Sequence, residues 1–214
     1  MMRVYMAAAA ILVPMQALAG SAADVQRLLA TGSCVACDLS GSDLKRADLE
    51  GADLSGSDLS GAKLWAARLG AANLADANLA GANLAAADLQ GAKLENADLS
   101  KTYLTTADLG GANLTGADLS GAVMTQSRLQ RSDLSGANLT GAYMELANLA
   151  GARLTDADLT RVNLTSANLE GAVLSGARLV GTVLLGADLD GASMDGVILC
   201  NTVMPDGRID TSGC

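Results

Sequence analysis

The 214-residue chain contains no histidine and no phenylalanine, and only two prolines, one tryptophan and three tyrosines. Without histidine it lacks the side chain that most often serves as general base and metal ligand near neutral pH. With aromatics at 2% of residues, the interior cannot take its volume from large rings, as most globular cores do. Basic residues are scarce too: 14 Lys and Arg against 23 Asp and Glu leave a formal charge of −9. That balance argues against a basic patch for nucleic acid or for an anionic membrane. No nucleophile–base pair stands out, so no catalytic, cofactor-binding or metal-binding residue is assigned and no enzymatic activity is expected. What is present is a half-apolar chain (50%) built mostly from small and aliphatic side chains.

The first residues form a distinct segment. Arg3 gives a short positive region, "VYMAAAAILVPMQALA" is an apolar run, and Ala17-Leu18-Ala19 is a small-residue cleavage signature before Gly20. The run is shorter than the ~20 residues a membrane span needs. Residues 1–19 are therefore expected to be a signal peptide, with Ala22 or Ala23 as other cut points up to residue 23. The mature chain would be exported to a periplasm or the extracellular space, or to a thylakoid lumen in a photosynthetic cell, with no stable membrane anchor.

The rest repeats itself. Leu or Met occupies every fifth position from Leu39 to Met204 without a slip, 34 centres in all, four of them Met124, Met144, Met194 and Met204. Two residues before each centre the chain is small or β-branched, with Ala at 24 of the 34 sites. One residue before the centre stands Asp or Asn at 20 of 34, and Gly is the commonest residue two after it. A period of five suits neither a helix at 3.6 nor a flat strand at 2. Two inward positions and one turn per quintet describe a chain that bends every five residues. Four quintets then make a 20-residue square coil, and coils stack through backbone hydrogen bonds at roughly 4.8 Å.

Words of the type "ADLSGADL" over residues 38–205 resemble the pentapeptide-repeat family. The resemblance implies an all-β solenoid, a right-handed quadrilateral β-helix, here of about eight and a half coils. The absence of Phe at any centre departs from the family pattern and bears on core packing. Around the repeats, "ADVQRLLATG" predicts a short capping helix, within an N-terminal cap of residues 24–37. Asp24 is its expected N-cap, Val25, Leu28 and Leu29 its apolar face, and Gly32 its stop. Residues 206–214 follow the turn Pro205-Asp206-Gly207 and are expected to be a C-terminal cap tail.

Four cysteines in an exported chain suggest disulfides with three possible connectivities. A rod of stacked coils puts Cys34 and Cys37 at one end and Cys200 and Cys214 at the other, far beyond the ~7 Å Cα limit for a bridge. The expected pairs are Cys34–Cys37 and Cys200–Cys214. The alternative for Cys34-Val35-Ala36-Cys37 is a redox CxxC, but it lacks the βαβ setting of such motifs. Haem attachment fails because Asp38 follows Cys37, and zinc fails on distance and missing histidine.

Outward positions fall into columns 20 residues apart. One column runs Asp38, Asp58, Asn78, Asp98, Asp118, Asn138, Asp158, and another Asp48, Arg68, Asp88, Asp108, Arg128, Asn148, Asn168, Asp188. Their acids are read first as acceptors for turn backbone, with Asn and Arg relieving repulsion between neighbouring carboxylates. The family resemblance supplies a second reading, a DNA-mimicking surface for a topoisomerase-like partner, against which stand the signal peptide and the interrupting arginines. Hydroxyl columns such as Ser40, Ser60, Ser100, Ser120 and Thr115, Ser135, Thr155 suggest a third, contact with water, ice or glycan. A further column, Tyr103, Val123, Tyr143, Asn163, Val183, Val203, is apolar, and Val173, Val180, Leu185 and Ile198 add to it toward the C-terminus. This stripe is either a protein interface, including a homodimer seam, or a surface covered by the tail through Ile209. The expected role is a non-enzymatic, rigid scaffold for an unidentified protein partner, with Tyr103, Val123, Tyr143, Val183, Leu185 and Val203 as the candidate interface.

Overall fold

The leucine period becomes a winding in the computed structural model, which describes residues 20–214; the expected signal segment, residues 1–19, lies outside the described residues. Backbone bridges join each residue before a centre to the one 20 positions later, always in parallel, from Ser33↔Asp53 through to Val183↔Val203. Each quintet is one side of the coil and contributes one bridging residue, too short a stretch to count as a strand. Between the sides the chain turns, with the N–H of the residue three after each centre from Leu39 to Met194 donating to the centre's carbonyl, as Ala117 does to Leu114 at 3.0 Å. The residue two after the centre has positive φ at every turn from Ala36 to Asn201. That conformation explains the frequent Gly at this position.

The core is a single column per side. Every centre from Leu39 to Leu184 is at most 3% exposed, and the alanines two before them line the corners between sides. Where a hydroxyl replaces alanine, it donates to a centre carbonyl: Ser42 to Leu39 at 2.6 Å, Thr102 to Leu99 at 2.7 Å and Ser132 to Leu129 at 2.8 Å. Most inward polar groups thus remain bonded, as burial requires; the exception is Ser127, whose fully buried hydroxyl has no partner.

Helix α1, Ala22–Thr31, closes the N-terminal end, with Leu28 buried against the first coil. Gly32 ends it in the left-handed conformation, its N–H bonded to the Leu28 carbonyl. Two expectations need correction. The N-cap is Ser21, whose hydroxyl accepts from the Asp24 N–H at 3.2 Å. The Asp24 carboxylate instead pairs with Arg27 and accepts from the Asp38 N–H at 3.2 Å, tying the helix to the coil beneath. Leu29 is 59% exposed, because one residue of helix rotation carries it about 100° away from Leu28.

Cys34 and Cys37 are buried in the first coil and bonded to each other, with Cα atoms 5.5 Å apart; Cys200 and Cys214 form the second bridge at 4.8 Å. The tail turns at Gly207 and returns as an antiparallel pair, β1 (Thr202–Val203) with β2 (Ile209–Asp210). It adds to the end of the rod and does not cover the apolar stripe. Gly213 then bonds the Leu199 carbonyl at 2.6 Å. The last centres, Leu189, Met194, Leu199 and Met204, stay partly exposed, so this end is less closed than the N-terminal one.

Candidate functional site

The surface chemistry follows from counting backbone N–H groups. In a typical quintet the ladder and the turn use four of the five; for the quintet centred on Leu119 they are Ala117 to Leu114, Asp118 to Ala97, Leu119 to Asn138 and Gly121 to Thr140. The fifth, on the residue just after the centre, has no backbone acceptor. Every one of the 20 Asp or Asn residues before a centre turns its Oδ1 to that N–H, at 2.8–3.4 Å. The frequent acid is therefore turn chemistry.

Vertical neighbours manage the resulting charge. Each arginine before a centre sits one coil above an aspartate: Arg68 on Asp48 at 3.1 Å, Arg128 on Asp108 at 3.5 Å, Arg153 on Asp133 at 3.6 Å and Arg178 on Asp158 at 3.8 Å. Asn73, Asn78 and Asn138 donate to Asp53, Asp58 and Asp118 in the same sense at 3.0–3.1 Å. Exposed pairs of this kind contribute about 0–1 kcal/mol each, but they break the acidic columns. Some hydroxyls are engaged too: Ser40 donates to Asp38 at 2.7 Å, Thr115 to Asn113 at 2.6 Å and Ser135 to Asp133 at 2.5 Å, whereas the Thr160 hydroxyl has no partner. No continuous phosphate-like acidic face results.

The Ser40 hydroxyl, then the Ser40 N–H, hold the Asp38 carboxyl below its ordinary 3.8, and Ser55 does the same for Asp53. A carboxylate whose folded pKa is depressed stabilises the fold above its unfolded pKa and loses that contribution as pH falls through the folded value. The Asp38→Asn/Asp53→Asn double variant keeps both acceptors and cannot titrate there. Between about pH 5 and pH 3, wild type is expected to lose more melting temperature than this variant. Equal or smaller losses in wild type would show that these bonds do not favour the ionised form.

The four sides are chemically unequal. Face A holds centres Leu39 to Leu199, face B Leu44 to Met204, face C Leu49 to Leu189 and face D Cys34 to Met194. On face B the bridging column reads Asp43, Lys63, Asn83, Tyr103, Val123, Tyr143, Asn163, Val183, Val203. From Asn83 to Val203 its outward positions hold one charged side chain, Glu145. The six residues predicted as an interface all fall here: Tyr103 is 53% exposed, Tyr143 52% and Leu185 47%, while Val123, Val183 and Val203 are half-buried between them. Val173, Val180 and Ile198 do not join them, because Val173 lies on face D and the other two on face A.

Sequence reasoning passed over two members of this surface, Leu146 and Glu145, and placed a third, Ile209, over the stripe instead of beside it. Leu146, 54% exposed, occupies a turn position with φ 59°, where glycine would be less strained. Ile209, 65% exposed, stands opposite Val203 and lengthens the stripe by one strand. Glu145 is fixed by the Thr125 hydroxyl at 3.2 Å and the Asn163 amide at 2.7 Å. The signal for Leu146 was a bulky apolar residue at the glycine position; Ile209 carried none, since its place depends on the tail's path.

Asp24, Cys34 and Cys37 bring potential ligand atoms within 4.8 Å of one another, but both sulfurs are joined in the disulfide and offer no thiolate. No helix among the described residues is long and apolar enough to cross a membrane.

Comparison with known proteins agrees with this geometry. The family model for pentapeptide repeats matches in 8 copies, over residues 33–65, 67–105, 102–141, 127–166 and 167–204. The chain is similar to HetL, a pentapeptide repeat protein involved in heterocyst differentiation regulation from Nostoc sp. strain PCC 7120. The two share 33% identity over 88% of this chain and 98% of that one, with a TM-score of 0.30. A pentapeptide repeat protein from the Arabidopsis thaliana thylakoid lumen shares 32% identity over 44% of this chain and 66% of its own, TM-score 0.44. QnrB1, a plasmid-mediated fluoroquinolone resistance protein, shares 19% over 85% and 89%, TM-score 0.47. No curated protein matches the chain significantly. With its repeats matched along most of its length, the chain belongs to the pentapeptide-repeat family and is a right-handed β-helix solenoid.

Proposed function

We propose that the protein is an exported, non-enzymatic scaffold, a rigid rod of about eight and a half coils that contacts a protein partner through face B. One observation carries this reading. At Tyr103, Val123, Tyr143 and Val183 the chain gives up the Asp or Asn that elsewhere accepts the spare turn N–H, and places an apolar side chain outward instead. Neither tyrosine nor valine offers an acceptor to that N–H, so each exchange costs about 1 kcal/mol of local hydrogen bonding. An apolar side chain makes this exchange four times on face B and once each on face D, at Val173, and face A, at Ile198; that concentration favours a surface selected for contact. Export is supported by the N-terminal signature and by two disulfides, which persist in oxidising compartments.

The test uses a photo-crosslinking residue placed just after a centre on each side: Thr105 on face B, Ser120 on face A, Gln130 on face C and Thr155 on face D. In the exported compartment, protein adducts are expected from the Thr105 position and not from the other three. Adducts from all four sides alike, or from any side except B, would overturn the assignment.

A further inference from the structure

Face B has a property that contact with an arbitrary protein does not require: its column reads the same in either direction over the five positions from Asn83 to Asn163, beyond which Lys63 corresponds to Val183 and Asp43 to Val203. Val123 is the middle residue of the run from Asp43 to Val203. Tyr103 and Tyr143 flank it one coil away on each side, and they are the only tyrosines of the repeat region. Asn83 and Asn163 follow at two coils. We infer that the partner of face B is a second copy of this chain, packed face to face with the rods antiparallel and a two-fold axis passing at Val123. This inference rests on the reading of face B as the contact surface.

A two-fold axis lying in the interface along the side direction keeps each column opposite itself and reverses coil order. Val123 then meets Val123, and Tyr103 meets Tyr143 of the second copy. In the next column Thr105 meets Glu145, a hydroxyl donor opposite a carboxylate acceptor, and Trp65 meets Leu185, both exposed apolar side chains. At the ends Arg46, which stacks over Trp65 at 4.7 Å, arrives at the exposed Asp206. A parallel pair needs a two-fold along the rod, which reverses the side direction and leaves one column opposite itself; centred on this column it sets Asp43 on Asp43 and Lys63 on Lys63, repulsions of about 1 kcal/mol each. Charge therefore selects the antiparallel register. The column spans eight coil steps, about 38 Å at the coil spacing. A strip of that length about 15 Å wide buries roughly 600 Å² per copy, the low end of specific interfaces, so a concentration-dependent dimer is expected.

Single cysteines read the register directly, because the four native cysteines are paired. Purified Val123→Cys is expected to form a disulfide-linked dimer under mild oxidation. Lys63→Cys alone is expected to form none, while a mixture of Lys63→Cys and Val183→Cys chains crosslinks. Adding Tyr143→Asp to Val123→Cys should abolish the dimer while leaving the melting curve cooperative. Self-crosslinking of Lys63→Cys as efficient as that of Val123→Cys would establish parallel rods and overturn the register. A wild type that sediments as a monomer at about 100 μM, well above the weak-interface range, would overturn self-association altogether. In that outcome, Thr105 adducts with a different protein would leave the scaffold reading intact.

Discussion

Leu119→Asp is expected to leave the protein unfolded at room temperature. Leu119 is fully buried, stacked between the buried centres Leu99 and Leu139. Its inward surroundings are leucine and alanine, and the nearby backbone donors are spent in the coil ladder. A carboxylate there meets no cation and no free N–H. Removing the leucine costs about 2–5 kcal/mol, and an unpaired buried charge adds about 3–5 kcal/mol. Together these rival the whole stability of a typical domain, about 5–15 kcal/mol. Circular dichroism against temperature checks it, with Ser120→Asp, one residue outward, expected within about 0.5 kcal/mol of wild type. A Leu119→Asp melting curve like that of wild type would mean the centres do not form the core.

Ala117→Leu is expected to destabilise by overpacking. Ala117 is fully buried, and its backbone is held on both sides, its N–H on the Leu114 carbonyl and its carbonyl on the Asn138 N–H, each at 3.0 Å. The corner cannot widen without breaking those bonds, so the three extra carbons of leucine cost about 1–3 kcal/mol or more. At about 2–4 °C per kcal/mol for a chain of this size, the shift is easily measured. The equivalent corner at Val162 is fully buried and accommodates a β-branched residue, so Ala117→Val should cost less than Ala117→Leu. Equal stability of all three chains would show that alanine is present for some reason other than space.

Much of this protein was legible in one dimension because its structure is nearly one-dimensional. Each coil contacts the coils above and below through the same positions, so a strict period identifies inward and outward residues without knowledge of distant contacts. The leucine centres, the alanine corners and the pairing of the four cysteines by end of the rod all follow from that regularity. The role of the acids in turn capping was readable from residue type alone. That all 20 serve the same N–H required the full account of which backbone groups the ladder leaves over.

The non-repeating ends were read less well. Asp24 looked like a helix cap, yet its carboxylate had a competing partner in Asp38 that lies close only after the helix docks. Whether Ile209 would cover the apolar stripe or extend it depended on the hairpin turn at Gly207, which sets the tail on the end of the rod. The C-terminal apolar residues formed one group in sequence and divide among three sides in space. Periodicity settled which way each repeated side chain points, because sterics within a coil repeat identically. The tertiary structure alone decided what happens where the repetition stops, since there the path of the chain is set by single long-range bonds that no local pattern encodes.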